Sequence, residues 1–318
     1  MSQESKIPFL RNFNPGMNLM TVFSLVFLGV IVGDLVFWML AKAFWGVNTF
    51  AENNVLSNEL TPSTFAYIQT NYIVHAICVF LTPATVFRRL MEFPQQDYFL
   101  IRRVVTLRMA GIILLVFLAC FPAANFLVYF NQQLDFSFIS PEIGEQIKAM
   151  ENSNDEFKIQ LLGQPGYSSL FINLATTAVL AAIGEELLFR GIFQRLFIKL
   201  FRNVHVAVIV GAALFSFVHF SYYGFIPRFF MGMALGYIYL ATANIWYCIF
   251  FHFLNNALGV TMGWLMGHGY DVSFFDSFGG GTDTKWIGFG LLVIVVACLI
   301  LMINKLINKE LIHEIKEY

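Results

Sequence analysis

The sequence predicts an all-α protein: a polytopic transmembrane helical bundle of about eight spans with an interfacial amphipathic helix. Three observations carry this reading. Of 318 residues, 58% are hydrophobic and only 12% charged, where a soluble domain carries about 25% charged residues. With 37 Phe, 12 Tyr and 5 Trp, and a mean hydropathy of +0.68, so much apolar surface stays out of water only if lipid covers much of it. The apolar residues also fall into runs of the length needed to cross hydrocarbon, roughly 20 residues, bounded by charges or turn formers.

Those runs lie near residues 17–45, 67–86, 109–130, 168–188 and beyond, 204–220, 227–243, 245–266 and 286–303. The first follows a polar start and is too long for a cleavable signal, so it is expected to remain in the mature chain. Eight crossings place Lys6, Arg11, Arg88, Arg89, Arg102, Arg103, Arg108, Arg195, Lys199, Arg202, Lys305, Lys309 and Lys316 on one side, thirteen of the 19 basic residues. That side is expected to be cytoplasmic, with both termini on it. The other side keeps Lys42, Lys148, Lys158, Arg228 and Lys285, together with an acidic loop holding Asp135, Glu142, Glu145, Glu151, Asp155 and Glu156.

The segment 88–108 mixes paired arginines with Phe93, Tyr98, Phe99, Leu100 and Ile101, the pattern of a helix lying in the headgroup plane. The loop 131–167 is polar and partly helical in pattern, and is expected to cap the bundle rather than guide a substrate. Gly279, Gly280 and Gly281 lack the flanking strand and lysine of a phosphate loop and are expected to make the last outer loop flexible. Small-xxx-small pairs at Gly29 and Gly33, Gly232 and Gly236, Gly259 and Gly263, and Gly263 and Gly267 mark close helix approaches.

Composition also excludes classes of function. A net charge of −1, from 19 basic and 20 acidic residues, supplies no field for a nucleic acid. Cys78, Cys120, Cys248 and Cys298 all lie in apolar runs without a CxxC pair, so they read as core residues, neither disulfides nor zinc ligands. There is no GxSxG elbow and no GxGD pair, which argues against serine and aspartyl hydrolases.

The informative residues are ionisable groups inside apolar helices, where a charge is expensive. In AAIGEELLFRG, Glu186 and Arg190 stand four apart on one face in the favourable order for an ion pair. Glu185 points about 100° away and is left for another neighbour, which suits a general base. Phe215 and His219 share a face of the next span, and His252 and Asn256 share a face of the seventh. Counting about 1.5 Å per residue from the turn near Arg202 brings Glu185 and His219 to one depth. His252 joins them only if the uncharged turn near Ala243 and Asn244 dips into the protein. His75 and Asp34 read instead as hydrogen-bonded core residues.

EExxxR at Glu185, Glu186 and Arg190, FxxxH at Phe215 and His219, and HxxxN at His252 and Asn256 resemble, in order, the motifs of the CAAX-protease and bacteriocin-processing (CPBP, or Abi) family of intramembrane proteases. The resemblance covers residues 168–266. It divides the chain into an N-terminal membrane region (1–167), a catalytic core (168–266) and a last loop, span and tail (267–318). It implies a helical bundle around a cavity open to membrane and cytosol, and hydrolysis of a peptide or protein substrate. By the same resemblance Glu185 activates water, His219 helps hold that water or a metal, His252 and Asn256 stabilise the oxyanion, and Glu186 and Arg190 support. Glu185, His219 and His252 would also make a zinc site with an open water position, so glutamate and zinc mechanisms both stand, zinc slightly ahead. The expected location is a bacterial cytoplasmic membrane, with lipid as neighbour; oligomeric state is left open. The alternative function is a non-catalytic scaffold or bacteriocin-immunity protein using the same cavity, and a proton-coupled transporter is disfavoured by the missing repeat architecture.

Overall fold

The computed structural model describes residues 9–46, 60–91, 97–134, 140–305 and 309–317, so Lys6, Phe93 and Asp135 lie outside the described residues. The described chain is all-helical. Helix α1 runs Pro15–Trp45, α2 Pro62–Met91, α3 Leu107–Gln132, α4 Pro141–Leu162 and α5 Tyr167–Phe201. Then follow α6 Val204–Phe217, α7 Phe225–Thr242, α8 Ile245–Gly267, the short α9 Ser273–Ser277, α10 Lys285–Lys305 and α11 Lys309–Glu317. Six helices, α1, α2, α3, α5, α7 and α8, are long and apolar enough to cross a membrane. With the apolar α6 and α10 they account for the eight runs seen in the sequence.

Local chemistry sets the helix starts. Asn14, Thr61, Thr106, Ser140, Asn203 and Asn244 each place a side-chain oxygen on a backbone N–H of the first turn. Arg202 and Ala243 end α5 and α7 in the left-handed region, which reverses the chain within two residues. The Ala243–Asn244 turn is buried, and Asn244 Nδ2 donates to Val104 O at 3.3 Å. The dip required by His252 is therefore present.

The bundle has two unlike ends. One collects Arg88, Arg89, Arg102, Arg103, Arg195 and Arg202, where Arg195 Nη1 donates to Tyr98 O at 2.6 Å. The other carries α4 and the connections after α6 and α8.

Close approach of helices relies on the small residues. A Cβ on Gly29 would collide with the Cys78 carbonyl, and one on Gly236 would lie 2.9 Å from Val208 Cγ1. A Cβ on Gly263 would lie 2.7 Å from Leu162 Cβ, whereas Gly259 has no heavy atom within 4 Å of that position and makes no such approach.

Three expectations change. Among the described residues of 88–108 the interfacial helix is not formed: α2 carries Arg88 and Arg89 to its end at Met91, and residues 97–106 are non-helical. There the Asp97 carboxylate accepts Ile101 N (3.0 Å) and Arg102 N (2.7 Å), and Tyr98, Phe99 and Leu100 turn into the main core. Side-chain capture of backbone N–H groups competes with helix at such a position. The triple glycine is packed rather than loose, because Gly279 and Gly280 are buried against the Pro122 and Asn125 carbonyls of α3. Asp34 and His75 do hydrogen-bond, at 3.0 Å, but on the outside of the α1–α2 seam, where the Asp34 side chain is 53% exposed.

The glycine contacts give a direct test. Gly29→Ala forces α1 away from α2 and is expected to cost about 1–3 kcal/mol, whereas Gly111→Ala, with no heavy atom within 4 Å, leaves stability unchanged or slightly raised. Thermal unfolding of both variants in detergent measures the difference.

Candidate active site

Glu185 and Glu186 sit midway along α5 between two π-helical stretches, Leu174–Leu180 and Phe189–Phe193, and Arg190 lies in the second of these. Such wider turns are common at functional sites. Glu186 is fully buried, and one of its oxygens, Oε1, accepts both Arg190 Nη1 at 2.8 Å and His252 Nδ1 at 2.7 Å. Arg190 also donates through Nη2 to Gly232 O at 3.1 Å, and its guanidinium lies 4.8 Å from the Phe215 ring centre. One carboxylate oxygen thus ties α5 to α8, and its arginine ties α5 to α7 and α6.

Phe215 explains the first residue of its motif. Its ring stands edge-on to His219 (5.0 Å between centres), to His252 (5.8 Å) and to Phe189 (5.1 Å). Its carbonyl accepts the His219 Nδ1 proton at 2.7 Å. A carbonyl can only accept, so Nδ1 of His219 carries the proton and Nε2 is left for the site.

Glu185 faces that nitrogen. Its Oε2 lies 3.8 Å from His219 Nε2 and 3.9 Å from His252 Nε2, is buried, and has no hydrogen-bond partner among the described residues. With both Nδ1 atoms donating elsewhere, two neutral imidazoles and an ionised carboxylate would turn three acceptors toward one another. Such a group requires a donor between them, and the separations are too long for direct hydrogen bonds but suit a bridging water.

A zinc ion fits this arrangement less well. At bond lengths of about 2.0–2.2 Å, tetrahedral ligand atoms stand about 3.3–3.6 Å apart, whereas both imidazole nitrogens are farther than that from Glu185 Oε2. Among the described residues no group of three or more His, Cys, Asp or Glu side chains is arranged to hold a metal.

Asn256 lies one turn beyond His252 as expected, but its amide is engaged elsewhere. Nδ2 donates to Thr177 O at 3.0 Å, within the first π-helical stretch of α5, and Oδ1 accepts from Asn255. The sequence reading therefore brings together Glu185, Glu186, Arg190, Phe215, His219 and His252, with Asn256 at the edge.

Sequence reasoning missed one charged neighbour. Arg228, in the first turn of α7, lies near enough to Glu185, His219 and Glu151 to act on all three electrostatically. Its Nη1 is buried without a hydrogen-bond partner. A lone arginine in FIPRFF was the available signal, and counting it as a loop charge hid it.

Beside the residues flanking His219 lies a cavity of about 480 Å³ whose lining includes Leu134, Met150, Phe217, Phe220, Phe225 and Ile226. Both it and the His219 loop lie toward the end opposite the arginines.

The family model for Type II CAAX prenyl endopeptidase Rce1-like proteins matches residues 167–258, from the first residue of α5 to just beyond Asn256. No curated protein and no solved structure matches the chain. The matched stretch contains every motif residue at this site, and over residues 167–258 the chain is similar to the Rce1-like CAAX prenyl endopeptidases.

Proposed function

We propose that this chain is an intramembrane endopeptidase in which Glu185 activates a water against a peptide carbonyl. The observation that carries this reading is the unpartnered Oε2 of Glu185, buried within 4 Å of two imidazole Nε2 atoms and set apart from the neutralised Glu186. A water between them donates to Glu185 and is oriented by His219. Glu185 removes its proton, the resulting hydroxide adds to the carbonyl carbon, and a tetrahedral oxyanion forms. Glu185 then returns the proton to the departing amine, the C–N bond breaks, and acid and amine products leave.

His252 suits the oxyanion. Uptake of a proton from solvent before the carbonyl is attacked makes its Nε2 a donor, and the resulting imidazolium is held by Glu186 through Nδ1. The Asn256 amide keeps a second N–H beyond the one given to Thr177. No step is routed through a metal. The apolar cavity suits an apolar stretch of a peptide or protein substrate. The arginine count still argues for a cytoplasmic basic end in a bacterial plasma membrane, with the site toward the opposite face.

Four measurements test this. Purified protein offered a quenched peptide library is expected to lose at least about a thousandfold in rate with Glu185→Gln while keeping its thermal stability. Glu186→Ala is expected to lose about 3–5 kcal/mol of stability together with activity, because it strands Arg190 and His252 in the interior. Greater loss of chemistry from Glu186→Ala than from Glu185→Ala at equal folding would reverse the assignment of the two acids. No cleavage at all, with partner binding indifferent to Glu185, would favour a scaffold. Prolonged chelation is expected to leave cleavage intact; loss restored by zinc would replace the metal-free mechanism. Finally, a thiol introduced by Tyr222→Cys is expected to react with an impermeant maleimide in intact cells, and protection there with labelling only after lysis would invert the orientation.

A further inference from the structure

The loop that carries His219 is held from outside the matched core. Residues 218–224 join α6 to α7 and are not helical, and α6 is only 14 residues long, fewer than the roughly 20 that cross hydrocarbon. Phe220, directly after His219, sits at φ +48°, a region that a phenylalanine adopts only under constraint. Non-helical backbone at membrane depth persists only when its polar groups are satisfied within the protein.

Two side chains from the N-terminal region satisfy them. Asn131, at the end of α3, donates through Nδ2 to Tyr222 O at 2.9 Å and to Tyr223 O at 2.6 Å. Glu151, on α4, accepts Tyr222 N at 2.6 Å on Oε1 and Ser221 Oγ at 3.1 Å on Oε2. Both are buried, at 1% and 4% exposure, while Glu145, Asp155 and Glu156 of the same helix are exposed. Ser221 Oγ in turn accepts Gly224 N at 3.1 Å, so the clamp continues to the start of α7 and to Arg228, whose guanidinium lies against Gly224.

We propose that Asn131 and Glu151 are positioning residues that hold the His219 loop, so that α4 is part of the catalytic apparatus and not merely a cap. His219 is fixed by Phe215 O on one side and by the course of this loop on the other. Release of Tyr222 frees the backbone three residues from the imidazole, and Nε2 no longer has a defined separation from Glu185 Oε2. The inference rests on the peptidase reading for its consequence, but the clamp itself can be tested without catalysis.

The experiment uses the full chain with Asn131→Ala, Glu151→Ala and Glu151→Gln, and Glu145→Ala as an exposed control on the same helix. Glutamine can keep an acceptor for Tyr222 N and a polar partner for Ser221, so it rescues if hydrogen bonding is what matters. The alanine variants are expected to lose about tenfold to a hundredfold in kcat, with KM changed far less; Glu151→Gln recovers most of the loss and Glu145→Ala matches the parent. In parallel, each change is combined with His219→Cys, and alkylation of the new thiol by a soluble maleimide is followed by mass spectrometry. Alkylation severalfold faster in the alanine variants is expected as the loop opens. Unchanged kcat in folded Asn131→Ala and Glu151→Ala proteins overturns the proposal, and so does lost activity with an unaltered alkylation rate. If the parent cleaves no peptide, the peptidase reading fails, while the alkylation rates still decide the clamp. If an alanine variant does not fold, Asn131→Asp decides: the carboxylate removes both donations to the loop, and alkylation at the parent rate overturns the proposal.

Discussion

A single carboxylate oxygen organises the centre of this protein. Glu186 Oε1 receives Arg190 from one turn along its own helix and His252 from another helix, in a place with no exposure to solvent. Taking a carboxylate and a guanidinium out of water is costly, and the arrangement is stable only because each charge is paired and further hydrogen-bonded. Arg190 reaches Gly232 O, and the close packing of α6 on α7 that brings this carbonyl within range depends on Gly232 having no side chain. The glycines and the ion pair are parts of one constraint.

That constraint separates two adjacent acids that differ only by a rotation about the helix. Glu186 turns Oε1 toward Arg190 and His252 and leaves Oε2 without a hydrogen bond, whereas Glu185 turns its unpartnered Oε2 toward the two Nε2 atoms. Because His252 is anchored by Nδ1 and His219 by Phe215 O, both rings present the same nitrogen to Glu185. Glu185 is thus held beside two imidazoles and the Arg228 charge, with no hydrogen bond on Oε2.

The bilayer imposes the second constraint. Helix α6 is only 14 residues long and the residues after it are not helical, so their backbone groups need partners that lipid could not supply. Asn131 and Glu151 meet that demand from residues outside the matched stretch 167–258. The N-terminal part of the chain, which carries no motif of its own, thereby acquires a reason to be attached to the core.

Helical class, the apolar runs and the pairing of Glu186 with Arg190 were legible in the order of residues, because span length, charge bias and the i, i+4 spacing are local properties. The FxxxH and HxxxN spacings likewise placed Phe215 with His219 and His252 with Asn256. What the chain order could not reveal is which partners meet across helices. Residues 97–106 read as part of an amphipathic interfacial helix until Asp97 and the core claimed them, and the HxxxN spacing could not reveal that Thr177 O takes one hydrogen of the Asn256 amide. Glu151 was indistinguishable from four exposed acids around it, and Arg228 from a loop charge. Burial, the choice of hydrogen-bond partner and the separation of Glu185 from both imidazoles come from segments 30 to 70 residues apart packing side by side, and only the tertiary structure decides them.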